Sequence, residues 1–185
     1  MGEKMAKGSM LIEFIRIIRS FKDLDWNKYL KPEDWDIINS IVLPSKWYPF
    51  EFYYRCSFAT YKLLAQGKLE NAHAYGQAMA KNLVQNTYKS MVQNKDSNQA
   101  LSQFVSIYGG LFNFGVLKLE KVDSKKVKIH LNYIGDKEGV SAYCFQLKGM
   151  LETLIEASGG KGGKVNISAK QWEGAPATTF DVTWE

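Results

Sequence analysis

The chain has 185 residues, of which 45% are hydrophobic and 23% are charged, and it carries a formal net charge of +5 at pH 7. That composition is ordinary for a globular protein and excludes a disordered or collagen-like chain. The charge is too small to indicate a nucleic-acid-binding protein, and no apolar run approaches the roughly 20 residues that a transmembrane helix needs.

The first half of the sequence is predicted to be helical. After a loose tail at residues 1–9, apolar side chains cover most of the circumference of a first helix. Glu13 and Arg16 interrupt its apolar run, so we expect no signal peptide. Proline in a first helical turn, at Pro32 and Pro49, marks the start of two further helices. The predicted helices lie at 9–21, 32–42, 50–66, 69–93 and 97–109.

The last 70 or so residues alternate strands around one helix. Apolar residues at steps of three and four predict an amphipathic helix that ends at Gly159. Its apolar stripe comprises Val140, Tyr143, Cys144, Leu147, Met150, Leu151, Leu154 and Ile155. Alternating apolar and polar residues predict strands at 115–121, 127–133, 165–169 and 178–184.

This order of elements predicts an α+β fold, in which an N-terminal helical bundle packs on a four-stranded antiparallel sheet with β-β-α-β-β order. At this length we expect one domain over residues 1–185. Within it we expect a helical extension at 1–42, a helical part at 43–113, and the sheet with its helix at 114–185.

No motif in the sequence predicts catalysis or a metal site. His73 and His130 are the only histidines, and neither has the closely spaced partners of a zinc site. The glycine-rich segment at 159–164 leaves a helix and enters a strand, which is the reverse of a phosphate-binding loop. We therefore expect no catalytic residue, no metal and no cofactor.

The two cysteines, Cys56 and Cys144, both lie among apolar helical residues. Buried reduced thiols in such a setting indicate a reducing compartment. We therefore expect a cytoplasmic protein.

A cluster of lysines marks the first predicted hairpin, and its members are Lys118, Lys121, Lys125, Lys126 and Lys128. A basic patch attracts phosphate, nucleic acid or acidic membrane lipid, but lysines also protect a solvated sheet edge from aggregation. The pattern leaves both interpretations open. The cluster contains no arginine, the side chain that most often contacts the edges of DNA bases, which argues against sequence-specific DNA recognition.

Two sets of apolar residues suggest binding surfaces. We expect a homodimer interface that contains Leu11, Phe14, Ile15 and Ile18. A helix so apolar near a chain end would otherwise expose a large apolar surface to water. A small apolar ligand is expected between aromatic and flexible side chains. The predicted ligand-binding residues are Phe52, Tyr53, Cys56, Phe58, Tyr143, Leu147, Met150 and Leu151. The alternative is that these eight residues simply fill the core.

Several short motifs resemble a known family. They are Lys7-Gly8-Ser9-Met10-Leu11, Trp47-Tyr48-Pro49, Tyr75-Gly76, the frame from Gly149 to Gly159-Gly160, and Trp184. Together they resemble a set of uncharacterised bacterial proteins, numerous in myxobacteria, that is similar to 4-vinyl-reductase-type small-molecule-binding domains. A remoter similarity extends to heme nitric-oxide sensors and to a Golgi-transport subunit. The resemblance implies helices packed against a four-stranded antiparallel sheet, a tendency to dimerise, and a sensing or docking role.

The sequence departs from the metal-bearing relatives of that family. Where those relatives have cysteines in the final hairpin, this chain has Ala169, Ala175 and Thr178. The segment from Tyr88 to Val92 follows the heme sensors' Tyr-x-Ser-x-Arg anchor but places valine where arginine would meet a propionate. The resemblance therefore implies neither zinc nor heme here.

The most consistent function is a non-enzymatic, dimeric signalling module that binds a small apolar ligand. The alternatives are a protein-assembly adaptor with a filled core, whose partner is another protein, and a small enzyme of unknown reaction. A cavity among the predicted ligand-binding residues favours the first, and a solid core favours the second.

Overall fold

The computed structural model describes residues 2–185, which form two compact units. The first comprises the chain up to Lys68 together with Gly110–Phe114, and the second comprises Leu69–Gly109 and Gly115–Glu185. None of the helices within residues 2–185 is both long and apolar enough to cross a bilayer.

The first unit contains three α-helices and a small two-stranded sheet among its described residues. Its elements are β1 (Met5–Lys7), α1 (Gly8–Ser20), α2 (Asp34–Ile38), β2 (Trp47–Pro49) and α3 (Phe50–Leu63), with a 3-10 turn at Trp26–Lys28. β1 and β2 pair antiparallel, with Ala6 opposite Tyr48. Helix α1 packs against α3.

The second unit contains the large sheet and its helices. Its helical elements are α4 (Leu69–Asn82), a π-helical turn (Leu83–Thr87), α5 (Ser90–Gln93), α6 (Ser97–Gly109), α7 (Lys137–Ala157) and a 3-10 turn (Gln171–Glu173). Its strands are β3 (Leu117–Asp123), β4 (Lys126–Leu131), β5 (Lys164–Ala169) and β6 (Thr178–Thr183). The strand order is β3-β4-β6-β5, and every neighbouring pair is antiparallel. The predicted α+β class and the four-stranded antiparallel sheet are confirmed.

The sheet has one apolar and one polar face, because successive side chains of a strand point to opposite sides. Ile129 and Phe180 are opposite each other on β4 and β6, and neither is exposed. Helices α6 and α7 contact this sheet through β3 and β5. The alternation that predicted the strands therefore reflects burial of one face.

Helices α4 and α7 approach each other so closely that their backbones touch. A β-carbon added to Gly76 of α4 would lie 1.9 Å from the carbonyl oxygen of Gln146, and one added to Gly149 of α7 would lie 2.2 Å from that of His73. Both distances are far below van der Waals contact, so glycine is required at both places. The glycine that interrupts the predicted fourth helix is explained by this contact.

The structure corrects the predicted boundaries of the N-terminal tail and of the helix at 32–42. Of the loose tail predicted at 1–9, residue 1 lies outside the described residues, and residues 5–9 are ordered as β1 and the start of α1. The helix predicted at 32–42 spans only Asp34–Ile38. Its end is set by Ser40, whose hydroxyl donates to the Ile37 carbonyl, and by Arg19, which donates to the Ser40 carbonyl at 2.7 Å.

The helix predicted at 69–93 is interrupted. Asn86 and Thr87 are weak helix formers, and the chain there widens into a π-helical turn in which the Tyr88 amide donates to the Leu83 carbonyl. Tyr88 itself leaves helical geometry, with φ −129° and ψ 50°. A short helix then resumes at Ser90.

A buried ion pair fixes α2 to α3 within the first unit. Asp34 is 2% exposed, and its two carboxylate oxygens accept hydrogen bonds from Arg55 at 2.8 and 2.6 Å. The Lys31 amide also donates to Asp34, at 2.8 Å. The hydrogen bond and charge of Asp34 raise the pKa of Arg55 above its ordinary value, against the opposing effect of burial.

Replacing Gly149 by alanine is expected to force α4 and α7 apart. We expect Gly149→Ala to lower the free energy of unfolding by at least about 2 kcal/mol, because overpacking against backbone has no flexible side chain to absorb it. Gly109→Ala is the control, since a β-carbon at that helical position meets nothing within 4 Å. Chemical denaturation that gives both variants the same stability would contradict the close approach.

Removing the charge of Asp34 is expected to leave Arg55, whose side chain is only 19% exposed, without its charged partner. We expect Asp34→Asn to cost about 3–5 kcal/mol of unfolding free energy. Glu33→Gln is the matched control, because Glu33 meets Lys31 only at the exposed surface, at 3.9 Å, and such pairs contribute about 1 kcal/mol or less. Equal thermal stability of the two variants would show that the buried pair is not stabilising.

Candidate ligand-binding site

Two stacked tyrosines form the most distinctive polar feature of the second unit. Tyr133 follows β4 and Tyr143 lies on α7, and their rings stack with centroids 3.9 Å apart at an interplanar angle of 4°. They are 1% and 5% exposed. The Gln171 side chain holds the Tyr133 backbone, because it donates to the Tyr133 carbonyl at 2.8 Å and accepts from the Tyr133 amide at 3.2 Å.

The hydroxyl of Tyr143 is buried and has no hydrogen-bond partner within residues 2–185. A buried polar group left without a partner costs about 1–3 kcal/mol, so native proteins leave few of them. A bound molecule that supplied a donor or acceptor there would remove this cost. Tyr143 is therefore a residue at which a polar group of a ligand would gain a hydrogen bond.

Cys144 adjoins this site and is linked to it by a short polar chain. Its thiol donates to the Thr178 hydroxyl at 3.5 Å, and that hydroxyl accepts from the backbone amide of Gln171 at 3.2 Å. Burial raises the pKa of the Cys144 thiol to about 12, partly opposed by the Thr178 hydrogen bond. Burial likewise raises the pKa of Cys56. Both cysteines are buried free thiols, and both are protonated near neutral pH.

The eight predicted ligand-binding residues lie in two places. Phe52, Tyr53, Cys56 and Phe58 lie on α3 in the first unit, and Tyr143, Leu147, Met150 and Leu151 lie on α7 in the second. Six are at most 5% exposed, and Phe58 and Met150 are half-buried. Side chains with so little accessible surface have packed atoms rather than open space against them. Ligand binding there stays a prediction, and it requires that a ligand displace packed groups.

The four residues predicted for a dimer interface are buried in the single chain. Leu11, Phe14, Ile15 and Ile18 are 0–3% exposed. On the same helix, Phe14 makes an edge contact with the Tyr53 ring, with centroids 5.9 Å apart. The apolar surface that motivated the dimer is therefore not open in one copy, because α1 packs on α3. Dimerisation itself stays a prediction.

An open cleft of about 580 Å³ lies beside the glycine-rich loop of the second unit. Gln77, Glu152, Thr153, Glu156 and the residues of 159–163 line it. The loop ends α7 as the sequence predicted, and Gly159 has a φ of +90° that favours glycine. The lining carries two glutamates, one lysine and otherwise neutral groups, so its chemistry does not select one ligand class.

Both histidines are engaged with carboxylates. His73 of α4 lies 2.6 Å from Glu152 of α7 through Nε2. His130 of β4 contacts the Thr179 hydroxyl through Nδ1 at 3.1 Å and Glu120 through Nε2 at 3.2 Å. These pairs join neighbouring elements of the second unit, which favours a structural role.

The lysine-rich hairpin is a mixed-charge surface. Lys128 of β4 is opposite Glu120 of β3 on one side and Asp181 of β6 on the other. Lys126 is likewise opposite Asp123. Because carboxylates face the lysines across the strands, the arrangement favours the solvated-edge interpretation.

Sequence reasoning missed the roles of Tyr133 and Gln171. Tyr133 is the last apolar residue of the alternating pattern that predicted a strand. That pattern indicates that Tyr133 is buried, but it does not indicate that it stacks on Tyr143. Gln171 lies in a segment that read as a turn, and its contact with Tyr133 joins residues 38 positions apart. No local pattern reports a contact at that separation.

The fold is shared with solved H-NOX structures. An H-NOX protein from S. oneidensis in its Fe(II)NO ligation state has a TM-score of 0.63 and 11% identity, over 97% of this chain and 99% of that chain. An unliganded Fe(II) H-NOX mutant from K. algicida has a TM-score of 0.62 and 11% identity, over 97% and 96% of the two chains. A structure from a study of heme distortion in the H-NOX family has a TM-score of 0.59 and 12% identity, over 97% and 95%.

At these identities the likeness shows the fold alone. No protein-family model matches the sequence, and no curated protein matches it.

Heme iron is held in proteins by a histidine nitrogen, a cysteine thiolate, a methionine or a tyrosine. His130 has both ring nitrogens engaged within the second unit, so it has none to offer an iron. His73 engages Nε2 with Glu152, and a carboxylate contact of this kind is also made by the second ring nitrogen of metal-bound histidines. Within residues 2–185, no three His, Cys, Asp or Glu side chains are grouped so as to hold a metal ion.

The raised pKa of Cys144 predicts a loss of stability at alkaline pH. In the unfolded chain this thiol ionises near pH 9, whereas in the folded protein it ionises only near pH 12. The contribution of the Cys144 thiol to the free energy of unfolding is therefore complete below pH 9. It is lost as the pH rises towards 12, at about 1.4 kcal/mol per pH unit.

Cys144→Ala removes this dependence, so its unfolding free energy should decline less steeply than that of the wild type. Urea unfolding at a series of pH values above 9 measures both slopes. Lysines and tyrosines titrate in both proteins, so their effects cancel in the comparison. Identical slopes would mean that Cys144 is not buried as described.

Proposed function

We propose that this chain is a non-enzymatic sensory module that binds a small apolar ligand and signals as a homodimer in the cytoplasm. The observation that carries the proposal is the likeness of 97% of the chain to H-NOX structures, among them one described in an Fe(II)NO ligation state. A fold that holds a small ligand in those proteins supports a similar use here. No arrangement of nucleophile and base among the described side chains supports an enzymatic alternative.

The position of Tyr143 supports a ligand site on α7. Its buried hydroxyl lacks a partner within residues 2–185, and it stacks on Tyr133. Leu147 and Leu151 follow one and two turns along the same helix face and are 1% and 0% exposed. A site with apolar walls and one polar group is typical of small-molecule pockets.

The proposed ligand is not heme. The valine at position 92, where the heme sensors' anchor has arginine, supports a metal-free ligand, as does the engagement of both ring nitrogens of His130. An apolar molecule held without iron also agrees with the resemblance to the 4-vinyl-reductase-type domains of bacterial proteins. Those domains are therefore the proposed functional relatives within this fold.

A second candidate function is a protein-assembly adaptor with a filled core. The observation that favours it is the near-complete burial of six of the eight predicted ligand-binding residues. A core already packed with protein atoms has no place for a guest unless side chains move. The two candidates differ in what the purified protein carries.

Native mass spectrometry of freshly purified protein is expected to show a homodimer that retains an added small mass. Tyr143→Phe should reduce the retained mass, because it removes the one polar group offered to the ligand, and should leave thermal stability unchanged or slightly raised. Tyr29→Phe is the control, since Tyr29 is a half-buried tyrosine of the other unit. It should retain as much ligand as the wild type.

Each part of the proposal has its own contrary result. A bare polypeptide mass in both the wild type and Tyr143→Phe would favour the adaptor. A Soret absorbance that survives purification would show that the ligand is heme. A monomer at tens of micromolar would remove the dimer without affecting the ligand site.

A further inference from the structure

The segment between α2 and α3 exposes three large apolar side chains. Ile41, Leu43 and Trp47 are 86%, 53% and 39% exposed. Lys7 and Lys46 adjoin them, and we call these five residues the apolar–basic patch. Ile41, Leu43 and Trp47 lie within seven positions of the chain, and grouped exposed apolar residues mark an interaction surface more often than isolated ones do.

The segment that carries the patch is firmly attached to the start of α1. The Gly8 amide donates to the Lys46 carbonyl at 2.9 Å, and the Ser9 amide donates to the Pro44 carbonyl at 3.0 Å. The Lys46 amide donates to the Leu43 carbonyl at 3.2 Å, and the Tyr48 hydroxyl accepts from the Leu43 amide at 3.1 Å. The apolar side chains are therefore presented on an ordered support.

The charge around the patch is positive. The Lys7 ammonium lies 5.3 Å from the centre of the Trp47 ring, on the paired strands β1 and β2. Lys46 lies over the neighbouring Tyr48 ring at 5.6 Å. Arg19 binds the Ser40 carbonyl at 2.7 Å, directly before Ile41.

Few carboxylates oppose these cations. Residues 37–50 contain no aspartate or glutamate, and the acidic residues that bracket them are Asp36 and Glu51. Glu3 is the one acidic residue of the segment 2–8, which also carries Lys4 and Lys7. The lysine-rich hairpin differs, because Lys128 there is opposite both Glu120 and Asp181.

We propose that the apolar–basic patch docks the protein on the surface of an anionic lipid bilayer. Tryptophan is enriched at the level of the lipid headgroups, where aliphatic side chains reach the acyl boundary. Lysines beside them are attracted by the negative potential of acidic lipids. Protein–protein interfaces, by contrast, are depleted of lysine, which favours lipid over a protein partner. The surface is independent of any ligand at Tyr143.

Cosedimentation with lipid vesicles tests this proposal on the full chain. Vesicles of phosphatidylcholine with about 30% phosphatidylserine should bind the protein at low salt, and pure phosphatidylcholine vesicles should bind it far less. Added salt should weaken binding, because it screens the lysines. Lys7→Gln with Lys46→Gln should weaken binding about 25-fold, since each lysine contributes about fivefold at an anionic surface.

Two further variants separate the patch from charge in general. Ile41→Ser with Trp47→Ser should abolish binding while leaving the net charge unchanged. Lys121→Gln with Lys125→Gln is the matched control, because it removes the same charge from the exposed hairpin of the other unit. It should change binding by less than about twofold. Circular dichroism confirms that each variant is folded.

Three results would overturn the proposal. The first is no binding of the wild type to phosphatidylserine vesicles at low salt. The second is equal weakening by the hairpin control and by the Lys7 and Lys46 variant. The third combines two observations: the wild type binds no vesicles, and the variant Ile41→Ser with Trp47→Ser changes oligomeric state. Together they would make the patch an interface between copies of this chain.

Discussion

The contact between α4 and α7 is the constraint on which the second unit depends. Where Gly76 and Gly149 meet the opposite backbones, no side chain separates the helices. The helices can approach this closely only because both positions lack a β-carbon. This contact also brings His73 to within 2.6 Å of Glu152, one turn from Gly149. The position of α7, and with it that of Tyr143, follows from two glycines.

The same helix serves packing and the candidate site on different faces. Gly149 and Glu152 face α4, whereas Cys144 reaches Thr178 at the start of β6. Tyr143 stacks on Tyr133, two residues beyond the end of β4. A ligand that moved Tyr143 would therefore act on an element tied to both a helix and the sheet. This arrangement is suited to transmitting binding, because packed interfaces resist gradual deformation.

Elements that follow a regular spacing of apolar residues were predicted from the sequence. Contacts between residues far apart in the chain were not. The stripe from Val140 to Ile155 predicted α7, and alternation around Ile129 predicted β4, because burial of one face repeats along the chain. The three-residue strands β1 and β2 have no period to detect, and their pairing joins segments about 40 residues apart. The apolar surface of α1 was recognised, but periodicity does not say what covers it, and here α3 does. The partner of Tyr143 was hidden for the same reason, since stacking on Tyr133 leaves no local pattern.

The strand order has a consequence for how the protein is made. β6 lies between β4 and β5, so one of the two central strands is the last strand of this sheet to be synthesised. Until Phe180 and Val182 emerge, β4 and β5 share no partner, and the Thr178 hydroxyl that joins Cys144 to Gln171 is missing. Contacts between distant segments form slowly because loop closure must precede them. We therefore expect the hairpin of β3 and β4 and the long helix α7 to form early, and the surroundings of Tyr143 and Cys144 to be completed last.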